Sequence, residues 1–240
     1  MADHPSAALR PLVFGCLVWC LAAPCCLAGG QQTYGGPSNI TGGGGHGPPQ
    51  EQIPSTPTPE KPDKAANKAF KAGMKSLAKA HDLEVFIAST QDADKKAKSM
   101  DKLGDTYGVA LDQFTEVLRN KSDMYEAWNQ VGYVHLRLGA YRESIDDYDH
   151  ALTLKPDLQE AVAHRAAAYL ATDRLDGVKA AYMDLFYHTR PLADELMVAM
   201  QAWVQSHRAA ANGVRPGDLD DFDKWLTERS GIAKTAAAAN

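Results

Sequence analysis

Residues Tyr125 to Leu158 read YEAWNQVGYVHLRLGAYRESIDDYDHALTLKPDL and give the clearest indication of the fold. Its first half has one stripe of side chains at intervals of three and four residues: Trp128, Val131, His135 and Leu138. This spacing predicts a helix with one buried face. Gly139 and Ala140 end that helix, and a second helix is predicted over 141–154 with these residues inward: Ile145, Tyr148 and Leu152.

The two predicted helices form a hairpin that needs neighbours. Gly132 has no side chain, so the second helix can approach the first closely at this point. Pro156 cannot continue a helix and makes the chain turn. Because one hairpin cannot bury its apolar face alone, the sequence predicts further hairpins packed on either side.

These 34 residues resemble the tetratricopeptide repeat (TPR) family. Trp128, Val131 and Gly132 stand at the spacing of the W-x-x-L-G signature of its first helix. The second helix has the large apolar, small and closing positions of the repeat: Tyr148, Ala151 and Pro156. The resemblance implies an all-α solenoid of helix–turn–helix units, coiled into a superhelix. It also implies a concave groove that binds other proteins.

A divergent first repeat is predicted over residues 64–124. Gly73 takes the small position of a first helix for which Asp63 is the expected N-cap. The second helix runs to Arg119 with these apolar residues: Tyr107, Ala110, Leu111, Phe114, Val117 and Leu118. Residues 82–98 are an insertion that makes this repeat longer than 34 residues.

A third repeat is predicted over 159–192, with Ala166 in the small position and Tyr169 as its tyrosine. Residues 193–233 then form two capping helices, because a solenoid needs a terminal unit with one solvated face. Their apolar stripes are these: Leu196, Met200, Trp203 and Val204, then Leu219, Phe222, Trp225 and Leu226. The last helix is expected to begin at Asp218 and stop at Gly231, and residues 234–240 to form a frayed tail.

The N-terminus carries an uncharged apolar run from Leu12 to Ala23, preceded by Arg10. With the small residue Ala28 behind it, this run predicts a secretory signal peptide over 1–28. An uncleaved membrane anchor and a lipoprotein are the alternatives. All four cysteines lie in this segment, so cleavage leaves a cysteine-free chain suited to an oxidising compartment. We therefore expect a periplasmic or secreted bacterial protein, with N-terminal anchoring as the alternative.

Residues 29–63 contain 9 glycines and 7 prolines and are predicted to be a disordered linker. The whole chain has 30 acidic and 25 basic residues, and no long basic run. This charge balance makes nucleic acid an unexpected partner. A membrane is expected to be contacted only through an uncleaved N-terminal segment.

No catalytic, cofactor-binding or metal-binding motif is recognisable in the sequence. The acids of Asp218–Asp223 lack the glycine and distal glutamate of a calcium loop and suit a helix N-terminus. Asp146, Asp147 and Asp149 are expected on a solvated face, and His135 is expected to be a hydrogen-bonded core residue. The sequence therefore predicts a protein that is not an enzyme and needs no cofactor.

The resemblance places the partner-binding groove on the first helices of the repeats. Eight residues are predicted to line it: Glu126, Asn129, Tyr133, Leu136, Arg137, Glu160, His164 and Ala167. The predicted function is a scaffold or adaptor that binds a peptide or a partner helix in this groove. The alternative is a carrier or enzyme whose helical groove holds a small ligand.

Overall fold

The computed structural model describes residues 62–210 and 214–238, all but a few of them helical. The eight helices of this region are α1 (Pro62–Ser89), α2 (Ala93–Asn120), α3 (Tyr125–Leu138), α4 (Tyr141–Leu154), α5 (Gln159–Ala171), α6 (Leu175–His188), α7 (Arg190–Ala210) and α8 (Pro216–Ala238). The predicted signal peptide and nearly all of the predicted linker lie outside the described residues. None of the eight helices is long and apolar enough to cross a bilayer.

The helices form four hairpins in sequence order. Each helix packs against the next along the chain, and α3 contacts α5 just as α5 contacts α7. The first helices of the second, third and fourth hairpins therefore lie beside one another, as they do in stacked helical repeats. The predicted all-α array of helical hairpins is confirmed.

Two glycines permit the close helix packing of the first two hairpins. A Cβ atom on Gly132 would lie 3.0 Å from the ring of Tyr148 in α4. On Gly73, the Cβ would lie only 2.6 Å from the ring of Phe114 in α2. Gly139 ends α3 in the left-handed conformation, with φ of 78°, which glycine adopts without strain.

The first hairpin is much longer than the others, since α1 and α2 each contain 28 residues. The predicted insertion at 82–98 is not a loop, because all but three of its residues extend these two helices. Asp92 caps α2 by accepting hydrogen bonds from two backbone N–H groups at 3.1 Å. The predicted N-cap Asp63 lies instead in the first turn of a helix that begins at Pro62, a position that proline favours.

The last helix continues beyond its predicted end. It passes through Gly231 and reaches Ala238, so the predicted stop is wrong and residues 234–238 of the predicted tail are helical, while 239–240 lie outside the described residues. Nothing lies within 4 Å of a Cβ built on Gly231, and this exposed glycine costs the helix only about 1 kcal/mol. The alanines that follow are the strongest helix formers and extend the helix.

Trp128 is less buried than its place in the repeat pattern predicts. It is partly exposed, its indole stacks on His150 at 4.5 Å, and Nε1 donates a hydrogen bond to the carbonyl of Ser122 at 2.9 Å. Leu138 is 39% exposed, whereas Leu136 is only 3% exposed. The helix packs against α2, α4 and α5. Its buried face is for this reason wider than the single predicted stripe.

Candidate functional site

The eight predicted groove residues differ in exposure. Glu160 is exposed, and Glu126 and Tyr133 are half-buried, so these three stay accessible. Leu136 and Ala167 are each 3% exposed and belong to the core, so their prediction as groove-lining residues is wrong. The direct contact between α3 and α5 explains this, because it covers the side chains between the two helices.

Arg137 is not a free cation facing a groove. Its guanidinium forms an ion pair with Glu84 of α1, and both side chains are 8% exposed. Its Nε also donates a hydrogen bond to the hydroxyl oxygen of Tyr107 at 3.2 Å. The Tyr107 hydroxyl in turn donates to Glu84 at 2.6 Å. The prediction of Arg137 as an accessible groove residue is therefore wrong.

We call Glu84, Tyr107 and Arg137 the buried triad. It joins α1, α2 and α3, and every member is almost fully removed from solvent. Burial raises the pKa of Tyr107, and the positive charge of Arg137 opposes that rise. The hydroxyl therefore stays protonated and serves as a donor to Glu84. Such an arrangement fixes the first hairpin against the second.

Sequence reasoning missed Glu84 and Tyr107 as partners of Arg137. A signal was present, because Glu84 continues the inward stripe of α1 formed by Leu77 and Ala80. A carboxylate at an inward position requires a cation or hydrogen-bond donors. The sequence did not show which cation pairs with Glu84, since Arg137 lies 53 residues further along the chain.

A second group of polar residues lies between α3, α4 and α5, and we call Asn129, Tyr133, Tyr148 and His164 the polar floor. The ring of His164 lies 5.5 Å from that of Tyr133 and 5.9 Å from that of Tyr148. Within the described structure, three buried atoms have no hydrogen-bond partner: Nδ1 and Nε2 of His164 and Oδ1 of Asn129. Asn129 is 8% exposed and His164 7% exposed, so both are buried and their prediction as accessible groove residues is wrong.

Burial lowers the pKa of His164 to about 4, and the positive charge of Arg137 adds to this effect. The imidazole is therefore neutral at pH 7 and offers one N–H donor and one nitrogen acceptor. A buried polar group without a partner costs about 1–3 kcal/mol. The polar floor thus has unused hydrogen-bonding capacity, but these atoms are themselves buried, so a bound group can satisfy them only after the covering side chains move.

Two further polar contacts involve α4: one joins it to α3 within the second hairpin, and the other joins it to α5. His135 Nδ1 lies 2.6 Å from Oδ2 of Asp147, as expected for a hydrogen-bonded histidine. Asp147 is only 8% exposed, so its predicted position on a solvated face is wrong. Burial raises the pKa of Asp147, and the hydrogen bond from His135 opposes the rise. Asp149 forms an ion pair with Arg165 of α5.

An open cleft of about 610 Å³ lies between the α5–α6 turn and the start of α8, away from the polar floor. These residues line it: Asp173, Arg174, Leu175, Asp176, Gly177, Lys179, Val214, Arg215, Asp218 and Asp221. Its walls are mostly charged, whereas small-molecule pockets are predominantly apolar. Across the described residues, no group of histidine and acidic side chains could hold a metal ion.

No protein-family model matches the chain, and no curated protein matches it. Several solved structures are similar to it in fold, among them these two. The first is the TPR2B-domain:pHsp70 complex of yeast Sti1, which is 13% identical, with a TM-score of 0.37. The match covers 69% of this chain and 98% of the Sti1 chain. The second is the crystal structure of the MamA protein, which is 16% identical, also with a TM-score of 0.37. The match covers 72% of this chain and 96% of the MamA chain. Both likenesses concern the fold alone.

The internal geometry agrees with the repeat pattern. The second hairpin has two helices of 14 residues, and the small positions at Gly73 and Gly132 receive the rings of the paired helices. These features and the all-helical architecture are consistent with a tetratricopeptide-like protein.

Proposed function

We propose that this protein is a non-enzymatic scaffold that binds a peptide or a partner helix across α3 and α5. The observation that supports this function is the polar floor, where Asn129 and His164 have buried atoms without hydrogen-bond partners. Tyr133 lies against His164 and remains half-buried, which gives an incoming chain an aromatic surface.

The chemistry of the polar floor suits a polypeptide. A peptide backbone offers one N–H and one C=O per residue. Once the side chains that cover the polar floor move, these groups match the acceptor of Asn129 and the donor and acceptor of neutral His164. Glu126 and Glu160 are the accessible charged groups among the predicted groove residues. Because both are acidic, the preferred segment is neutral or basic.

Capture of the partner by charge-reversal variants tests this function. Glu126→Arg combined with Glu160→Arg should abolish capture of the proteins that the wild-type chain retains, as read by quantitative mass spectrometry. The matched control is Glu143→Arg with Glu228→Arg, which changes the net charge equally at exposed positions of α4 and α8. Retention of the same proteins by both double variants would contradict binding at α3 and α5.

The competing function is a carrier or enzyme acting on a small ligand. Native mass spectrometry of the purified full chain distinguishes it, because a carried ligand adds a discrete mass. We expect only the mass of the polypeptide. A reproducible extra mass that is lost when His164 is replaced by leucine would replace the scaffold proposal with the carrier.

Location in the cell envelope is the second part of the proposal. It is supported by the apolar run from Leu12 to Ala23 and by the restriction of all four cysteines to residues 1–28. The protein recovered from cells should have the intact mass of a chain that begins near Gly29. A mass that includes residues 1–28 would favour the anchored alternative.

A further inference from the structure

Between Lys64 and His81, the exposed face of helix α1 has only one kind of charge. From Lys64 to His81 the sequence contains five lysines and no acidic residue, although the whole chain has a net charge of −5. The lysines follow one another at intervals of three and four residues: Lys64, Lys68, Lys71, Lys75 and Lys79. At about 100° per residue, this spacing puts them all on one side of the helix. We call this side the lysine face.

The lysine face lies opposite the side of α1 that packs against the protein. Gly73 and Ala80 define the buried side, and all five lysines are exposed. Within the described residues, Lys68, Lys71, Lys75 and Lys79 form no ion pair with a carboxylate. Exposed helix faces usually mix both signs of charge, which gives stabilising pairs three or four residues apart. Four unpaired lysines in one row leave a positive potential that an external partner can neutralise.

The shape of the lysine face narrows the choice of partner. It is a ridge on a continuous helix, and from the first lysine to the last it is about 22 Å long. A ridge has no walls to enclose a peptide, but it can lie flat on a charged surface. Phe86 follows Lys79 by seven residues, about two turns along the same side, and is 43% exposed. Asp82, between them, is the one acid on this side.

We propose that α1 docks through its lysine face on an anionic lipid surface. Lysines near such a surface are attracted to its negative potential, and an aromatic ring beside them enters the interface between headgroups and acyl chains. This inference does not depend on the polar floor, because the polar floor is formed by α3, α4 and α5, whereas the lysine face belongs to α1. Lipid docking and partner binding can therefore succeed or fail separately.

Sedimentation with lipid vesicles tests the proposal on the full chain. Vesicles of phosphatidylglycerol should bind the protein, whereas vesicles of phosphatidylcholine should bind it far less. The comparison separates charge attraction from insertion of the apolar run at 12–23, which both lipids would permit. Salt at about 1 M shortens the screening length to about 3 Å and should release the protein from phosphatidylglycerol.

Charge-neutralised variants locate the contact. Each lysine near an anionic surface is worth about five-fold in binding, so Lys71→Gln with Lys75→Gln should weaken binding to phosphatidylglycerol about 25-fold. The control is Lys224→Gln with Lys234→Gln on α8, which changes the net charge equally and should alter binding less than about two-fold. Phe86→Ser should weaken binding several-fold without affecting its salt dependence.

Three results would overturn the proposal. The first is equal binding to both lipids, and the second is an equal loss in the two lysine double variants, which would indicate only a net-charge effect. The third is absence of vesicle binding together with binding of polyglutamate that depends on Lys71 and Lys75. That last result would assign the lysine face to an acidic protein.

Discussion

Replacement of Arg137 by methionine tests the buried triad directly. The change keeps an apolar stem of similar length but leaves the carboxylate of Glu84 in a site where it is only 8% exposed. Two unit charges about 4 Å apart attract by about 4 kcal/mol at an effective dielectric constant of 20. Removing one partner of a buried pair costs about 3–5 kcal/mol, so we expect the free energy of unfolding to fall by that amount.

A double-mutant cycle separates the pair from the rest of the packing. Glu84→Leu combined with Arg137→Met removes both charges, so the double variant should be more stable than the two single losses predict. We expect a coupling energy of at least about 2 kcal/mol. Urea unfolding followed by far-UV circular dichroism measures each free energy, provided that the slope with urea is unchanged. Arg142→Met, at an exposed position of α4, is the control and should stay within about 0.5 kcal/mol of wild type.

Additive effects in that cycle, or a loss below about 1 kcal/mol for Arg137→Met, would refute a buried ion pair.

The triad also changes how binding must be tested. A natural test of the predicted groove is Tyr133→Ala with Arg137→Glu, on the expectation that folding is unaffected. In the structure, a glutamate at position 137 would face Glu84 in a buried site, so that double variant should lose stability and cannot report on binding alone.

Three further predictions follow from packing and burial. Trp128→Ala should cost about 1–2 kcal/mol in urea unfolding rather than the 3–5 kcal/mol of a fully buried tryptophan, and a larger loss would contradict its partial exposure. The pKa of His164 is lowered from 6.5 to about 4, so the unfolded state binds the proton first. Stability should fall by about 3 kcal/mol from pH 7 to 4, and His164→Gln should reduce that fall. Gly73→Ala should destabilise the protein by about 1–3 kcal/mol, whereas Gly108→Ala should stabilise it by about 0.5–1 kcal/mol, and equal melting temperatures would contradict the close packing.

Local structure could be predicted from the sequence where two signals agreed. The second hairpin is the clearest case, because apolar periodicity gave its helices and Gly139 gave their boundary. Burial of Tyr148 and Phe114 followed from the same periodicity. The end of α8 was missed because Gly231 was taken as a stop signal, although an exposed glycine inside an alanine-rich helix costs too little to end it.

The candidate site was harder to predict because it depends on contacts between distant parts of the chain. Periodicity tells which residues share a side of a helix, but it does not tell what covers that side. Leu136 shares a side with Tyr133 approximately, yet contact with α5 buries the leucine and leaves the tyrosine partly accessible. Asp147 looked like one of several solvated acids until the fold brought His135 against it.

The length of the first hairpin determines where a partner can bind. Glu84 lies 22 residues after Pro62, beyond the end that a 14-residue helix would have, so only an extended α1 can pair with Arg137. This pairing removes the cation from the predicted groove and leaves a neutral polar floor with two acidic residues among the accessible positions. On α1, four lysines that form no ion pair with a described residue lie on the side opposite Glu84: Lys68, Lys71, Lys75 and Lys79. A neutral or basic segment at the polar floor and an anionic surface at the lysine face would therefore not compete, and the protein could hold both at once.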